Sequence, residues 1–430
     1  MLFNYIIGNS LNKEVGSKHH RFSKKSLLTF GIISNIALLG YFKYTDFLID
    51  NLNLLSDGNI PTLELALPLA ISFFTFQQIS YLVDSYRQET AEYDLLNYSL
   101  FVTFFPQLIA GPIVHHKEMM PQFAKTRNKV KNYKNIAMGL FIFSIGLFKK
   151  VVIADTFAIW ATKGFDVATT LNLFEAWATS LSYTFQLYFD FSGYTDMAIG
   201  LALLFNIKLP INFNSPYKAT DIQDFWRRWH ITLSRFLRDY IYIPLGGNRK
   251  GEVRTYSNLM ATFIIGGIWH GAGWTFVFWG FLHGFGLVIH RAWSKLGFKL
   301  WTWLAWLITF NFINITWVFF RAKEWDDALK ILGSMFSLDN IVIANSFSNI
   351  LSFLSVYGVS FGNYTINLVD GKDLIFWLVG GVVFVLVFKN SMELISRFQT
   401  NLFYLLFIFI IFLISIGEIN EFSEFLYFNF

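Results

Sequence analysis

Six apolar runs, at residues 26–44, 63–83, 133–160, 300–320, 374–388 and 402–416, limit what this chain can become. Several reach the ~20 residues that cross a ~30 Å hydrocarbon core at 1.5 Å per residue. Inside lipid every backbone N–H and C=O needs a partner within the protein, so runs of this length are expected to be helices. Composition agrees. Only 15% of the 430 residues are charged, against 54% hydrophobic and 20% aromatic, whereas soluble domains carry about 25% charged residues. A 19-residue window draws roughly eleven apolar segments. The expected fold is an all-α polytopic membrane protein, one domain over residues 1–430, with the lipid bilayer as its surroundings.

The chain has no cysteine, which excludes disulfides, Cys-ligated zinc, iron–sulfur clusters and a thiol nucleophile. Abundant Phe, Ile, Asn and Lys suggest AT-rich codon usage and a bacterial source. Basic clusters at 13–25, 117–134, 227–254 and 291–299 are read as short cytoplasmic loops under the positive-inside rule. None interleaves aromatics or carries a fold signature in the manner of a nucleic-acid binder, so no nucleic-acid partner is expected. A polar, basic stretch follows Met1 in place of a cleavable signal. No repeat or linker divides the chain.

Between 181 and 284 the pattern departs from plain spanning helices. Asp190, Asp196, Asn206, Asn212 and Asn214 interrupt apolar sequence, and Gly193, Pro210 and Pro216 punctuate it. Non-helical backbone at membrane depth is tolerated where protein buries it or water lines it, so re-entrant or broken helices around a cavity are expected. Asp190 and Asp196 are read either as cavity-lining or as capping and buried hydrogen-bonding groups. Residues 221–242 mix four arginines with Phe225, Trp226, Trp229 and Phe236; the expectation is an amphipathic helix on the cytoplasmic interface, N-capped by Asp221.

Among eight histidines, His19, His20, His115 and His116 are expected at the interface, and His290 near a helix end. His270 differs, because it lies in the apolar stretch FIIGGIWHGAGW (263–274). An ionisable side chain at membrane depth is costly and normally faces a polar cavity. Four surrounding glycines would let a ligand or another helix approach its imidazole; a buried histidine bridging two helices is the competing reading. His230 ends WRRWH (226–230), and can meet His270 only through tertiary structure. No G-x-S-x-G elbow, P-loop, G-x-G-x-x-G or H-E-x-x-H is present. A neutral imidazole in such a setting suits general-base activation of a hydroxyl that attacks an activated acyl group.

The ordered motifs FFPQLIAGPI (104–113), FDFSGYTDMA (189–198), NSPY (214–217), FWRRWHITLS (225–234), IPLGGN (243–248) and IWHGA (268–272) together resemble the membrane-bound O-acyltransferases. The resemblance is to the branch that acetylates alginate and peptidoglycan, with core motifs over 104–284 and a similar ending, EFLYFNF (424–430). It implies a helical bundle with a central funnel or tunnel, His270 as the buried catalytic histidine and His230 as the second one. It implies acetyl-CoA as cytoplasmic donor, with no permanently bound cofactor and no metal. The phosphate contacts are assigned to Arg227, Arg228, Arg249 and Lys250, because cations at that face would meet phosphates. Members of this branch usually carry one or two further segments before a stretch like residues 2–5, where this chain starts.

Tyr427, among Phe425, Phe428 and Phe430, is read either as an aromatic-belt residue or as a transient acyl acceptor that His270 deprotonates. The expected reaction is O-acetylation of an exported polysaccharide, peptidoglycan first, completed by an extracytoplasmic SGNH-type partner at a bacterial cytoplasmic membrane. Alginate acetylation and D-alanyl transfer share the chemistry, while a transporter or a catalytically silent scaffold would be a different class.

Overall fold

The computed structural model describes residues 1–12, 23–90, 94–108, 111–369, 371–419 and 426. Five of the six apolar runs become helices close to their expected bounds: Lys24–Lys43, Tyr133–Phe148 with its continuation to Val167, Thr302–Arg321, Gly371–Val387 and Leu402–Gly417. The polar residue before a run sets the start. Ser23, Asn132 and Asn401 each accept the backbone N–H three residues on, satisfying a donor the helix leaves open.

Among the described residues, Lys24–Lys43, Tyr133–Val167 and Thr302–Arg321 are both long and apolar enough to cross a membrane. The other apolar segments drawn from the sequence fall in shorter helices or in helices that carry more polar side chains. The other long helices, Leu173–Leu204, Glu252–His270 and Trp274–Leu296, are interrupted by polar side chains. A short parallel strand pair, Val342–Ala344 with Ser360–Gly362, accompanies them.

The run at 63–83 departs from expectation. Its first part is not helical, and the helix is Ile71–Tyr86, entered from Ala70 at φ 60°. Pro61 and Pro68 explain this, since each removes a backbone donor and fixes φ.

A second correction concerns residues 181–204. Asp190, Gly193 and Asp196 lie inside one unbroken 32-residue helix, Leu173–Leu204. Gly193 serves close packing: a Cβ there would meet the Gly146 carbonyl at 2.7 Å. The carboxylates form buried ion pairs. Beyond Phe148 the neighbouring helix widens into a π-helical turn, Lys149–Ala154, so that two consecutive lysines both reach it. Lys149 Nζ meets Asp196 at 2.7 Å and donates to Ser391 at 2.6 Å, while Lys150 meets Asp190 at 2.6 Å and Asp155 at 2.8 Å.

One end of the bundle gathers the basic loops. Arg291 and Lys295 pair with Glu252, Arg235 pairs with Glu118, His290 lies 3.6 Å from Asp221, and Gln122 bonds the Lys208 carbonyl. By the positive-inside rule this end is cytoplasmic. From Glu252 the helix to His270 rises 1.5 Å per residue, which carries His270 roughly 27 Å from that end.

The Glu252–His270 and Trp274–Leu296 helices form a tight hairpin through Gly267 and Gly280. A Cβ on Gly267 would sit 2.3 Å from the Phe276 carbonyl and 3.1 Å from the Gly280 Cα. Backbone cannot yield as a side-chain tip can. Gly267→Ala is therefore expected to cost about 1–3 kcal/mol of stability, read as a lowered thermal midpoint of the detergent-solubilised protein.

Candidate active site

The Ile222–Arg228 helix starts as expected, with Asp221 Oδ1 accepting the Asp224 N–H at 2.7 Å. It does not continue as one interfacial helix. It stops at Trp229, and His230 takes left-handed backbone at φ 42°, ψ 54° before the Ile231–Leu237 helix begins. A non-glycine residue there costs on the order of 1–3 kcal/mol and persists only where its surroundings enforce it.

Asn212 is the enforcing group. Its Oδ1 accepts from Thr232 N–H (3.2 Å) and Thr232 Oγ1 (2.9 Å), and its backbone carbonyl accepts from Ile231 N–H (3.0 Å). The same Oδ1 lies 3.0 Å from His230 Nδ1. Because a backbone donor identifies that atom as oxygen, His230 carries its proton on Nδ1 and presents a lone pair on Nε2. The kink turns His230 inward; it is fully buried, and so is Trp229.

His270 is the last residue of its helix, and extended Gly271 turns the chain away. Its imidazole is 3% exposed, with edge-to-face rings from Trp269 (4.8 Å), Trp279 (5.0 Å) and Phe320 (5.0 Å). Phe73 lies between His230 and the Trp269 wall of the His270 enclosure, its ring centre 6.4 Å from that of His230 and 5.5 Å from that of Trp269. His230, His283 and Lys43 all lie within electrostatic reach of His270. The two residues singled out in the sequence, forty positions apart, thus share one aromatic enclosure.

Cavities flank this enclosure. On one side lie Phe73, Gln77, Gln107 and Ile113, whose N–H bonds Thr232. On the other a small polar pocket is lined by Lys149, Ser192, Asp196, Asn212 and Ser391. Next to that pocket, and sharing Asn390 and Met392 with it, an open cavity of about 500 Å³ is lined by Asn214, Arg235 and Glu393.

His283 is a member that sequence reasoning missed. It is fully buried and packs against Trp279, the ring centres 4.6 Å apart and the planes tilted by 57°. Its Nδ1 accepts from Trp226 Nε1 at 3.1 Å, so the neutral ring holds its proton on Nε2. His230 and His283 are therefore opposite tautomers.

The other sequence assignments fare differently. Arg228 is committed to Asp224 at 2.9 Å, whereas Arg227, Arg249 and Lys250 are exposed. His115 and His116 gather at Asp84 (4.0 and 3.4 Å), and Tyr240 bonds both Asp84 and His115. Tyr427 lies outside the described residues, as do His19 and His20. Among the described residues no three His, Asp or Glu side chains gather as a metal site.

A helical membrane bundle that buries a pair of histidines beside a broken helix defines a class of membrane enzyme more closely than its hydropathy does. Residues 26–323 match the membrane-bound O-acyltransferase family, and the chain belongs to it. It is 56% identical over 384 residues to the peptidoglycan O-acetyltransferase of Helicobacter pylori, covering 83% of this chain and 72% of that protein. It is 43% identical over 342 residues to the probable alginate O-acetylase of Pseudomonas aeruginosa, covering 78% and 64% respectively. To the teichoic acid D-alanyltransferase of Streptococcus thermophilus it is 29% identical over 239 residues, 53% of this chain and 57% of that one. The chain thus spans roughly two thirds to three quarters of the length of the first two relatives.

Proposed function

We propose that this chain is an O-acetyltransferase of a bacterial cytoplasmic membrane, taking acetyl from cytoplasmic acetyl-CoA for O-acetylation of a cell-surface polysaccharide, peptidoglycan in the first instance. The observation that carries the reading is His270, buried at the far end of a helix that starts at the basic face, with His230 brought beside it. In the reaction the His270 imidazole takes the proton of an acceptor hydroxyl. The freed oxygen attacks the thioester carbonyl, a C–O bond forms and the C–S bond breaks. The proton passes from the imidazolium to the departing thiolate. Burial excludes water, which would otherwise hydrolyse the thioester, and His230, with its Nε2 lone pair, orients donor or acceptor. Arg227, Arg249 and Lys250, exposed at the basic end, suit the donor's phosphates; Arg228, held by Asp224, suits them less.

Peptidoglycan is favoured over alginate and over D-alanyl transfer by the higher identity to the Helicobacter pylori protein. Cells expressing the chain should gain alkali-labile acetyl esters on peptidoglycan, and esters appearing only on alginate would overturn that acceptor. A periplasmic SGNH-type transferase completes the reaction.

Tyr427 is the proposed relay between the two. One observation supports it: the preceding residue, Leu426, packs on the core and directs its N–H to Asp190 Oδ2 at 3.4 Å. Hydroxylamine-sensitive acetylation of Tyr427 is expected after incubation with acetyl-CoA. Full activity of Tyr427→Phe would end the relay reading.

A further inference from the structure

We infer that Lys43 is a positioning residue for the acyl-transfer reaction, holding the His270 main chain in register by capping the helix that ends there. A helix leaves its last four carbonyls without intrahelical partners and concentrates partial negative charge at that end. For the Glu252–His270 helix this end is buried, where an unmade hydrogen bond is most costly.

The Lys24–Lys43 helix supplies what is missing. Lys43 Nζ donates to the Trp269 carbonyl at 2.6 Å, to the His270 carbonyl at 3.0 Å and to Ser72 Oγ at 3.3 Å. An ammonium has three N–H donors, and all three are used. The next residue extends the cap, with Tyr44 Oη donating to the Ile268 carbonyl. Three consecutive carbonyls, 268 to 270, are thus held by two consecutive side chains from another helix. The ammonium also lies 5.9 Å from the Trp269 ring, one wall of the His270 enclosure.

Glycine can end a helix unaided when it takes left-handed backbone, but Gly271 is extended, so the end of this helix relies on Lys43 and Tyr44. A buried charge is retained only when paired or hydrogen-bonded, and here the bonds go to the backbone of the reacting residue itself. Lys43 therefore fixes both the height and the rotation of the imidazole relative to His230. Its loss shifts His270 without deleting it, and small displacements of a reacting group lower turnover steeply.

The inference rests on His270 acting as the base. The test uses the full chain in proteoliposomes, with acetyl-CoA as donor and turnover normalised to the number of acetyl-CoA sites bound. Lys43→Gln is expected to lower kcat about 10- to 100-fold, with KM for acetyl-CoA changed by less than about threefold, and Lys43→Arg to recover most of the loss because charge and donors return. Wild-type kcat in Lys43→Gln, or a loss in Lys43→Gln that Lys43→Arg leaves unrelieved, overturns it. If Lys43→Gln fails to insert, Tyr44→Phe, which deletes one hydroxyl, is read instead: reduced kcat supports the cap, and unchanged kcat overturns it. If His270→Ala turns over normally, the reading of His270 fails. If His270→Ala is inactive while Lys43→Gln matches wild type, this inference alone fails.

Discussion

Replacing His270 by alanine is expected to lower acetyl transfer by about 10²–10⁴-fold, the usual contribution of a positioned acid–base group, while the protein still inserts and folds. The two halves of that expectation have separate physical origins. The imidazole contacts Trp269, Trp279 and Phe320 through ring edges and faces, and truncation leaves a cavity among these stiff rings. The cavity costs a few kcal/mol, as for other large-to-small core changes. Catalytically the loss is nearly complete, because neither neighbour occupies the place of the lost ring: His283 is bonded to Trp226, and the Nδ1 bond to Asn212 fixes His230 where its Nε2 lone pair serves to orient a substrate. The assay is transfer of radiolabelled acetyl per correctly folded molecule, with size-exclusion behaviour in detergent as the folding control.

The largest effect on stability is expected at the buried ion pairs. Asp196→Ala leaves the Lys149 ammonium, 7% exposed, with Ser391 as its remaining bonded partner. Removing one member of a buried pair costs about 3–5 kcal/mol, because the surviving charge is neither solvated nor matched. Replacing both groups by apolar residues of similar size removes the stranded charge. The double variant Lys149→Met, Asp196→Leu should therefore be more stable than Asp196→Ala and approach wild type. Thermal midpoints of wild type, Lys149→Met, Asp196→Leu and the double variant close the cycle and give the coupling energy. A coupling near zero would mean that the pair is solvated and not part of the core.

The structure also shows which features of the sequence were readable. Apolar runs gave helices wherever a polar N-cap preceded them and no proline intervened, as at Ser23 and Asn132; the 63–83 run failed because Pro61 and Pro68 act locally while the window average ignores them. Asp190 and Asp196 looked like helix breaks because polarity alone cannot show a partner. Their lysines lie 40 and 47 residues away, on a π-turn with no sequence signal. His230 and His270 could be singled out by apolar context and motif, but their meeting depends on the Trp229–His230 kink, which Asn212 enforces from eighteen residues upstream. His283 and Lys43 went unnoticed for different reasons. His283 sits in an aromatic helix and reads as packing, while Lys43 at a helix end reads as an interface anchor. A signal for Lys43 did exist, since a cation ending an apolar helix beside a tyrosine can cap another helix as readily as it can meet solvent.

The account depends on one imidazole serving a donor from the basic face and an acceptor from the opposite face. The direct measurement uses sealed proteoliposomes of known orientation, with radiolabelled acetyl-CoA confined to the side bearing the basic loops and an acetyl acceptor confined to the other. Label is expected to reach the far compartment as ester at a rate proportional to intact enzyme and to vanish in His270→Ala. Equal transfer by His270→Ala, or ester formed only on the donor side by the wild-type protein, would contradict the account.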